Sequence, residues 1–500
     1  MKRLAKRIGA LVAACLMILV SMPVQAQAAE IGYTYTFDYW GDVQYSPDAY
    51  EVAASFTAVD LGLSSKLSSP EGMFVYGDYI YICDTGNNRI LELQRTGTTE
   101  IVLVREITEF TGDVEVNTFN TPTDIAVSED YFFIADKNNG RILKLTKDLE
   151  YVMEFTRPTD ETFDQSLTFL PSKIVIDSAE RVYCIATNVN KGLIKYEPDG
   201  FFAGFIGATP VSYNTMDYLW KKFATKAQRA QMENFVPTEY DNIYMDKEGF
   251  IYTTTTNFSE TELDTGKVDA VRRINMMGND ILIRNGNWFV IGDIHWGNAG
   301  GYSGPSKLID ITSFDNESYV ALDKVRGRLF AYDDQGNLLF AFGGSGNMDG
   351  YFRTPSALEH MGYDLLVLDQ LDCSITLFTP TEYGSLVYQA MDYFKEGKYE
   401  ESEAAWQRVI SLNGNYDLAY IGVGRALLRQ QRYREAMDYF KLKWDADNYS
   451  KAFQYYRKEW VEENITWIVV CLAVVIIIPL VVGRIKKIKW EIDTADIFRR

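Results

Sequence analysis

Histidine is almost absent from this sequence, which limits the chemistry that the chain can perform. Only His295 and His360 occur among the 500 residues. A zinc site built from three histidines is therefore excluded. The motif GxSxG does not occur, so the nucleophile elbow of serine hydrolases is excluded as well. From these residues we expect no catalytic residue, no metal site and no cofactor.

Cysteine is also scarce, with five residues in the chain. Cys15 and Cys471 lie in the N-terminal and C-terminal apolar runs. Cys83, Cys184 and Cys373 remain, an odd number without CxxC spacing, and each lies within a short apolar run. This pattern predicts separately buried thiols rather than a disulfide framework or a metal site.

Positive charge is in deficit, because 49 Lys and Arg residues face 69 Asp and Glu residues for a net charge of −20. Residues 1–28 carry four positive charges and residues 484–500 a net of three, so the chain between them carries about −27. Such an acidic surface repels phosphate backbones, and we expect no nucleic-acid partner. Cations, neutral ligands and basic protein surfaces stay open.

The first 28 residues have the three parts of a secretory signal peptide. A basic start is followed by an apolar run from Ile8 to Met22, and Ala26-Gln27-Ala28 is a small-x-small cleavage site. This order of segments predicts export and removal of residues 1–28. We therefore expect the bulk of the chain outside the cytoplasm.

A second long apolar run lies near the C-terminus. Ile465 to Val482 contains 18 residues without a charge, which predicts one transmembrane helix over 465–483. Glu462 and Glu463 precede the run, whereas basic residues dominate the tail that follows it. By the positive-inside rule, the tail of residues 484–500 is cytoplasmic, and the chain is a single-pass protein of the cell membrane.

The chain between these segments repeats itself. ICDTGNNRILEL at residues 82–93 returns as IADKNNGRILKL at residues 134–145. Each unit has a Pro, an apolar strand, a second strand that ends in Asp, and a polar turn into a third strand. Six units at a period of about 50 residues predict a six-bladed β-propeller over 33–380. YTYTFDYWG at residues 33–41 is expected to supply the last strand of the sixth blade.

The two quoted stretches resemble the D-x-x-N-x-R-I signature of NHL-repeat propellers. The matching residues are Asp84, Asn87, Arg89, Asp136, Asn139 and Arg141. The resemblance implies that the Asp and the Arg organise the turn between inner strands. Repetition around a ring favours this structural role over a unique ligand site. Calcium at the first turn is the alternative, although no Glu follows at EF-hand spacing.

Candidate ligand-binding residues follow from the same alignment. The positions just after each Pro, at the mouth of the innermost strand, include Glu71, Asp124, Lys173 and Asn242. Such a polar ring contacts a sugar or a peptide, or it lines a water-filled channel. The insertion 208–240 between units three and four predicts two short helices that lie over one propeller face. Trp220 in this insertion and Trp296 in a glycine-rich loop are candidates for stacking on sugar rings.

The pattern changes to a helical period after Phe378. EGKYEESEAAW at residues 396–406 and QQRYREAMDYF at residues 430–440 align at a spacing of 34 residues. The aligned pairs are Ala390 and Gly424, Ser402 and Ala436, and Trp406 and Phe440. Residues 383–464 therefore resemble tetratricopeptide (TPR) repeats, in which small residues face aromatic ones between stacked helices.

The arrangement resembles a group of bacterial surface NHL/TPR proteins, some of which look associated with sugar uptake. This resemblance implies a binding or scaffold protein whose propeller face or TPR helices recognise a ligand, such as a carbohydrate, or a protein partner. The alternative is a metal-dependent hydrolase similar to gluconolactonase propellers. Turnover of lactones with calcium-dependent stabilisation would distinguish the second function from the first.

Overall fold

The computed structural model describes residues 33–160, 162–207, 239–266, 268–295 and 304–497. The chain divides into two compact units, Met1–Gly384 and Ser385–Arg500. We refer to them as the propeller unit and the helical unit. The predicted signal peptide and most of the predicted insertion 208–240, with Trp220, lie outside the described residues, as does Trp296.

The described residues of the propeller unit are mostly β-strands separated by short turns. One short helix, α1 (Glu260–Asp264), has a capping box between Ser259 and Glu262. The strands are β1 (Tyr35–Phe37), β2 (Val43–Tyr45), β3 (Tyr50–Phe56), β4 (Gly72–Tyr76), β5 (Tyr79–Asp84), β6 (Arg89–Arg95), β7 (Ile101–Ile107), β8 (Pro122–Val127), β9 (Tyr131–Asp136), β10 (Arg141–Thr146), β11 (Tyr151–Phe155), β12 (Pro171–Ile176), β13 (Val182–Ala186), β14 (Leu193–Tyr196), β15 (Phe202–Ile206), β16 (Asn242–Met245), β17 (Ile251–Thr254), β18 (Val271–Ile274), β19 (Leu308–Ser313), β20 (Tyr319–Asp323), β21 (Arg328–Tyr332), β22 (Leu338–Ser345), β23 (Tyr351–Phe352), β24 (Pro355–Met361), β25 (Asp364–Asp369) and β26 (Ser374–Pro380).

These strands form sheets in which sequential strands are neighbours, as in the blades of a propeller. The sheets are β4–β7, β8–β11, β12–β15, β16–β18, β19–β22 extended by β1, β2 and β23, and β24–β26 with β3. The first strand of each sheet, which we call an inner strand, contacts the inner strand of the next sheet. These contacts also join β24 to β4. The sheets are therefore arranged around a common centre.

The number of complete blades differs from the prediction. Within the described residues, five sheets have four or more strands, whereas β16–β18 has three. The expectation of six four-stranded blades is thus wrong for the fourth unit. Residues 280–284 lie along the free edge of β18 instead of a fourth strand. There, the N–H of Ile281 donates to the carbonyl oxygen of Arg273 at 2.7 Å, and Arg284 donates to that of Val271 at 2.8 Å.

The strand that closes the ring also differs from the prediction. Tyr33–Gly41 was expected to complete the sixth unit, but β1 pairs with β2 and with β22 of the fifth unit, where Tyr35 faces Ala341. β3 pairs with β26 over six residue pairs instead, from Ile375 and Phe56 to Pro380 and Tyr50. The N-terminal segment therefore contributes to two sheets, and the later of its strands closes the ring.

Apolar side chains fill the space between adjacent sheets. Ile82 and Leu91 of the first unit pack in one buried cluster with Leu366 and Leu377 of the sixth unit. Their burial removes apolar surface from water, which is the main stabilising contribution to the fold. This cluster joins residues almost 300 positions apart in the sequence, so the core depends on closure of the ring.

The repeated Asp and Arg form a buried network at the turn of the first unit. One carboxylate oxygen of Asp84 accepts from Arg89 Nε at 2.7 Å and from Asn87 Nδ2 at 2.8 Å, and the other accepts from the N–H of Ser68 at 2.7 Å. Arg89 also donates to Glu106 at 2.7 Å. The carboxylate thereby links the turn to the segment that precedes the inner strand.

The second unit repeats this network with Asp136, Asn139 and Arg141, at 2.8 Å for the amide and 2.9 Å for the guanidinium. The residue before each Arg adopts the left-handed conformation, with φ of 54° at Asn88 and 65° at Gly140. Asn and Gly are the residues that adopt this conformation most readily, so both sequences fit the same turn.

The helical unit continues the chain as antiparallel neighbours joined by short loops. The helices are α2 (Glu382–Lys395), which begins in the propeller unit, α3 (Tyr399–Leu412), α4 (Asp417–Arg429), α5 (Tyr433–Leu442) and α6 (Ala446–Ile497). The residues aligned at a spacing of 34 are buried: Ala390, Ser402, Trp406, Gly424, Ala436 and Phe440. Small residues thus lie where aromatic rings pack. A Cβ at Gly424 would approach Phe440 Cε1 to 2.6 Å, and one at Gly422 would approach Trp406 to 2.5 Å.

One helix in the described part of the chain is long and apolar enough to cross a membrane. It is α6, whose most apolar 18-residue window has a mean hydropathy of 3.1 and is not buried by the rest of the protein. The predicted segment 465–483 lies in its middle, and Pro479 lies inside the helix.

Candidate functional site

A cavity of about 420 Å³ lies among the inner strands of the propeller unit. Its lining includes Asp124 on β8, Lys173 on β12 and Asn242 on β16, three of the residues that the sequence predicted. Glu71 does not line this cavity. It lies directly before β4, half-buried, and its backbone N–H donates to the carbonyl oxygen of Cys83 at 3.2 Å. We call the space the polar cavity.

Two further acidic residues, Asp310 on β19 and Glu359 on β24, line the polar cavity and were missed from the sequence. Asp310 pairs with Leu322, directly before the closing Asp323, just as Asp124 pairs with Ala135 directly before Asp136. The alignment on Pro failed because Pro305 precedes β19 by three residues, whereas Pro122 begins β8.

Glu359 has a different offset. The position equivalent to Asp310 in the sixth unit is Ala357, which pairs with Leu368 directly before the closing Asp369. Glu359 follows two residues later in the same strand. Because side chains alternate along a strand, Ala357 and Glu359 point to the same side of it. No residue at the equivalent position of the other units is acidic, so aligning the units does not reveal Glu359.

Asp124 and Asp310 make the same contact with the next sheet. Asp124 accepts from the N–H of Ile174 at 2.8 Å, and Asp310 accepts from the N–H of Leu358 at 2.7 Å. These N–H groups belong to inner strands, which pair with a neighbouring strand along one edge only. The carboxylates therefore satisfy buried backbone donors. The second carboxylate oxygen of Asp310 accepts hydrogen bonds from the side-chain amide of Asn242 and from the backbone N–H of Ile311.

Lys173 places a positive charge among these carboxylates. Its Nζ lies 3.9 Å from Asp124 Oδ1, and both side chains are largely buried. Burial opposes the charge of the ammonium, but Asp124 and Asp310 outweigh burial and raise the pKa of Lys173. The ammonium is therefore charged at neutral pH and is available to a ligand in the cavity.

Burial acts on the acidic residues in the opposite direction. It raises the pKa of Asp124, and it raises the pKa of Asp310 to about 6 although Lys173 and two backbone N–H groups oppose it. Burial raises the pKa of Glu359 well above its usual range, and the nearby charges of Asp310 and Asp124 raise it further. The carboxylic acid of Glu359 thus keeps its proton to a higher pH than an exposed glutamate does, and in that form it can donate one hydrogen bond.

Glu359 differs from the other acidic residues in its lack of a side-chain partner. It is 8% exposed, and the backbone N–H of His360 lies against its carboxyl group. In the described part of the chain, no side chain forms an ion pair or a hydrogen bond with it. A buried carboxyl group in this state is costly unless something else satisfies it.

The rim of the cavity carries charges that are already compensated. Arg181 pairs with Asp177 at 2.6 Å, and Arg273 pairs with Asp246 at 2.6 Å. Phe74 and Tyr244 also belong to the lining and add aromatic surface. The cavity thus combines donors, acceptors and aromatic rings, the combination by which small-molecule sites fix a polar ligand.

Neither histidine lines the polar cavity. His295 Nε2 lies 2.8 Å from the carbonyl oxygen of Gly41, and His360 Nδ1 lies 2.6 Å from Thr312 Oγ1. Burial lowers the pKa of His360 to about 4. Among the described residues, no group of three or more His, Cys, Asp or Glu side chains is placed to hold a metal ion.

Glu359→Gln is expected to stabilise the propeller unit increasingly as the pH rises above about 4.3, the unfolded pKa of glutamate. The raised pKa means that the folded state holds the Glu359 proton after the unfolded state has lost it. Stability from this group is therefore fully present below the unfolded pKa and is lost as the pH rises toward the folded pKa. Glutamine does not ionise, so the advantage of the variant grows with pH between these two pKa values and is constant above them.

Thermal unfolding at several pH values, followed for wild type and variant, measures this difference. Glu100→Gln is the matched control, because Glu100 is exposed in the same unit. The same gain in both variants at every pH would contradict a buried, neutral Glu359.

One repeat-family model matches two parts of the propeller unit. The LVIVD repeat model matches residues 56–89 and 122–142, the ring-closing end of β3, the first unit up to Arg89, and the beginning of the second unit. This is a different repeat family from NHL, so the NHL resemblance of the two turn motifs stays a prediction. No curated protein matches the sequence.

Solved structures are similar at low identity. Virginiamycin B lyase from Staphylococcus aureus is 12% identical with a TM-score of 0.38, over 66% of this chain and 99% of the lyase. The extracellular domain of a proposed one-component system from B. thetaiotaomicron is 11% identical with a TM-score of 0.36, over 70% of this chain and 38% of that one. A proposed gluconolactonase is 9% identical with a TM-score of 0.37, over 67% and 94%.

These likenesses are too distant to carry an argument about activity. The class of this protein is assigned from its own sheets, which surround a common centre with their strands in sequential order. The protein is a β-propeller protein with a helical C-terminal unit. Its particular function is the subject of a proposal.

Proposed function

We propose that this chain is a membrane-anchored, extracytoplasmic binding protein whose propeller recognises a small polar ligand in the polar cavity. The observation that carries the proposal is the buried Lys173, 3.9 Å from Asp124 in a cavity of about 420 Å³. A buried ammonium group beside one carboxylate keeps donors that water or a ligand in the cavity can satisfy. A cavity of this size suits a small ligand.

The membrane anchor in this proposal is α6. Its mean hydropathy of 3.1 over 18 residues supports a spanning segment, and the basic residues that follow support a cytoplasmic C-terminus. The apolar start of the sequence supports a signal peptide. With both segments, the propeller unit is outside the cytoplasm.

The architecture in this proposal is a six-bladed ring. The three-stranded sheet β16–β18 is its fourth blade, since its inner strand contacts β12 on one side and β19 on the other. Residues 280–284 take the place of its outer strand. The paired helices of the helical unit are TPR repeats in this proposal, supported by the buried residues at a spacing of 34. They are the surface for a protein partner of a membrane complex, such as a sugar-uptake system.

Lys173→Met is expected to change stabilisation of the propeller unit by its ligand, with a loss for a ligand that accepts from the ammonium and a gain for a cation. The full-length protein in detergent micelles is heated with a panel of monosaccharides, amino acids, small amines and calcium. A ligand at about 100 times its dissociation constant stabilises by about 2.7 kcal/mol. Because Lys173 lines the cavity, methionine removes a positive charge that attracts acceptor groups and repels cations, while keeping most of the side-chain volume.

Lys324→Met is the control, because Lys324 is exposed elsewhere in the propeller unit. A ligand effect that Lys173→Met leaves unchanged would contradict binding in the polar cavity. No effect from any ligand would argue for the protein partner instead. Calcium-dependent stabilisation together with lactone turnover would favour the metal-dependent hydrolase.

A further inference from the structure

More acidic than basic residues line the polar cavity, so part of its negative charge is not compensated. Six acidic residues line it: Asp124, Asp177, Asp246, Glu248, Asp310 and Glu359. The basic residues of the lining are Lys173, Arg181 and Lys247. Arg181 and Arg273 neutralise the rim, and Lys173 lies beside Asp124. Asp310 and Glu359 are left without a cation within ion-pair distance in the described residues.

The oxygens of the other two central carboxylates already have donors. Asp124 accepts from Ile174 and faces Lys173, and Asp310 accepts from Leu358, Ile311 and Asn242. Glu359 keeps a carboxyl group that forms no hydrogen bond or ion pair with a described side chain, although its own side chain lines the cavity and is more than nine-tenths buried. A ligand that enters the cavity can pair with this carboxyl group.

We propose that the ligand of the polar cavity is a small organic cation, whose ammonium group pairs with the carboxylate of Glu359. This inference rests on the proposed binding function and names its ligand class. A divalent metal ion requires several carboxylate oxygens at once, whereas Asp124 and Asp310 have theirs engaged with N–H donors. An ammonium group needs only one free carboxylate and gains from the rings of Phe74 and Tyr244 in the lining.

Binding is coupled to release of a proton. The Glu359 carboxylic acid loses its proton to solvent, and the resulting carboxylate pairs with the incoming ammonium, which keeps its own protons. The groups that face Glu359 from the other inner strands are Asp124, Lys173, Tyr244 and Asp310, with Glu71 interacting through Asp124 and Lys173. The acidic ones oppose ionisation of Glu359, so the cation restores the balance of charge.

The test compares two probes of equal shape, 2-phenylethylammonium and neutral 2-phenylethanol. Isothermal titration calorimetry on the full-length protein in detergent micelles is expected to give the ammonium probe at least tenfold higher affinity, since a charged hydrogen bond contributes more than a neutral one. Its affinity rises with pH, and titrations in two buffers of different ionisation enthalpy show proton release.

Glu359→Gln is expected to reduce the affinity for the ammonium probe at least tenfold and to leave that for the alcohol unchanged. Glutamine resembles the neutral acid of the unliganded protein, and the ligand-free melting curves described above establish that the variant is folded. Glu100→Gln is expected to bind both probes as the wild type does.

Equal affinity for the two probes would overturn the inference. Binding of neither probe at 10 mM, roughly the weak end of measurable affinity, would overturn it as well. So would an affinity for the ammonium probe that Glu359→Gln does not change. Calcium binding that depends on Glu359 also overturns it, because the site then takes a metal. A neutral sugar whose binding depends on Lys173 would overturn the cationic ligand class and leave the proposed binding function intact.

Discussion

Asp84→Ala is expected to lower the free energy of unfolding of the propeller unit by about 3–5 kcal/mol. Asp84 is fully buried, and its carboxylate accepts from Arg89, from Asn87 and from the N–H of Ser68. Alanine leaves these donors without an acceptor. The guanidinium of Arg89 also stays buried beside Glu106 alone, and an incompletely paired buried charge is costly.

Chemical denaturation of the full-length protein, followed by tryptophan fluorescence, measures the change in the propeller transition. Arg353→Ala is the control from the sixth unit. The Arg353 side chain is 49% exposed and pairs with Asp372 at 3.1 Å, so its loss costs about 0–1 kcal/mol. Similar losses in both variants would show that the turn network contributes no more than a surface pair.

A large loss from Asp84→Ala would also bear on the calcium alternative for this turn. If calcium bound Asp84, the loss would depend on calcium in the buffer. The contacts predict the same loss with calcium or with a chelator, because Arg89 occupies the position of the cation at 2.7 Å.

Phe440→Ala is expected to lower the free energy of unfolding of the helical unit by about 3–5 kcal/mol. The ring is fully buried and packs directly against Gly424, where a Cβ would lie 2.6 Å from Cε1. Removing the ring leaves a cavity that neighbouring helices fill only by moving. The loss tests the aromatic-to-small pairing on which the TPR resemblance depends.

Leu442→Ala is the matched control, two residues further along α5. Leu442 is 59% exposed, and a substitution there is expected to change stability by about 0.5 kcal/mol or less. Thermal unfolding followed by circular dichroism at the helical band measures both variants. Equal shifts would contradict a helix interface centred on Phe440 and Gly424.

Much of the fold was predictable because local sequence carries it. The Pro at the start of an inner strand, the Asp at the end of the next, and the Asn or Gly before the Arg are constraints on the backbone of single turns. They recur at the repeat period, and the structure places Pro122, Asp136 and Gly140 at just these positions. Sequence patterns of this kind identify strands and turns without knowledge of distant partners.

The sequence predicted the wrong strand for closure of the ring. Residues 33–41 read as an alternating strand, and alternation says which residues share a face but not which edge they pair with. β26 has one free edge, and β3 reaches it, while the hairpin of β1 and β2 extends the fifth unit. The pairing partner depends on how the chain between them turns.

Some residues of the polar cavity were predicted from the sequence and others were missed. Asp124 and Lys173 were found from the sequence because each follows the Pro that begins its inner strand by two residues, and Asn242 from the outline of the fourth unit. Asp310 was missed because Pro305 precedes β19 by three residues, whereas Pro122 and Pro171 begin β8 and β12. Glu359 was missed because it lies two residues beyond the position equivalent to Asp310.

Sequence alone established a repeating β-protein between two apolar segments, an acidic surface and a helical C-terminal region, because composition and period act over short stretches of chain. The tertiary structure was needed to show which strand closes the ring, that the fourth sheet has three described strands, and that Asp310 and Glu359 join Lys173. These features arise from contacts between residues up to about 300 positions apart, whose distances and burial no local pattern records.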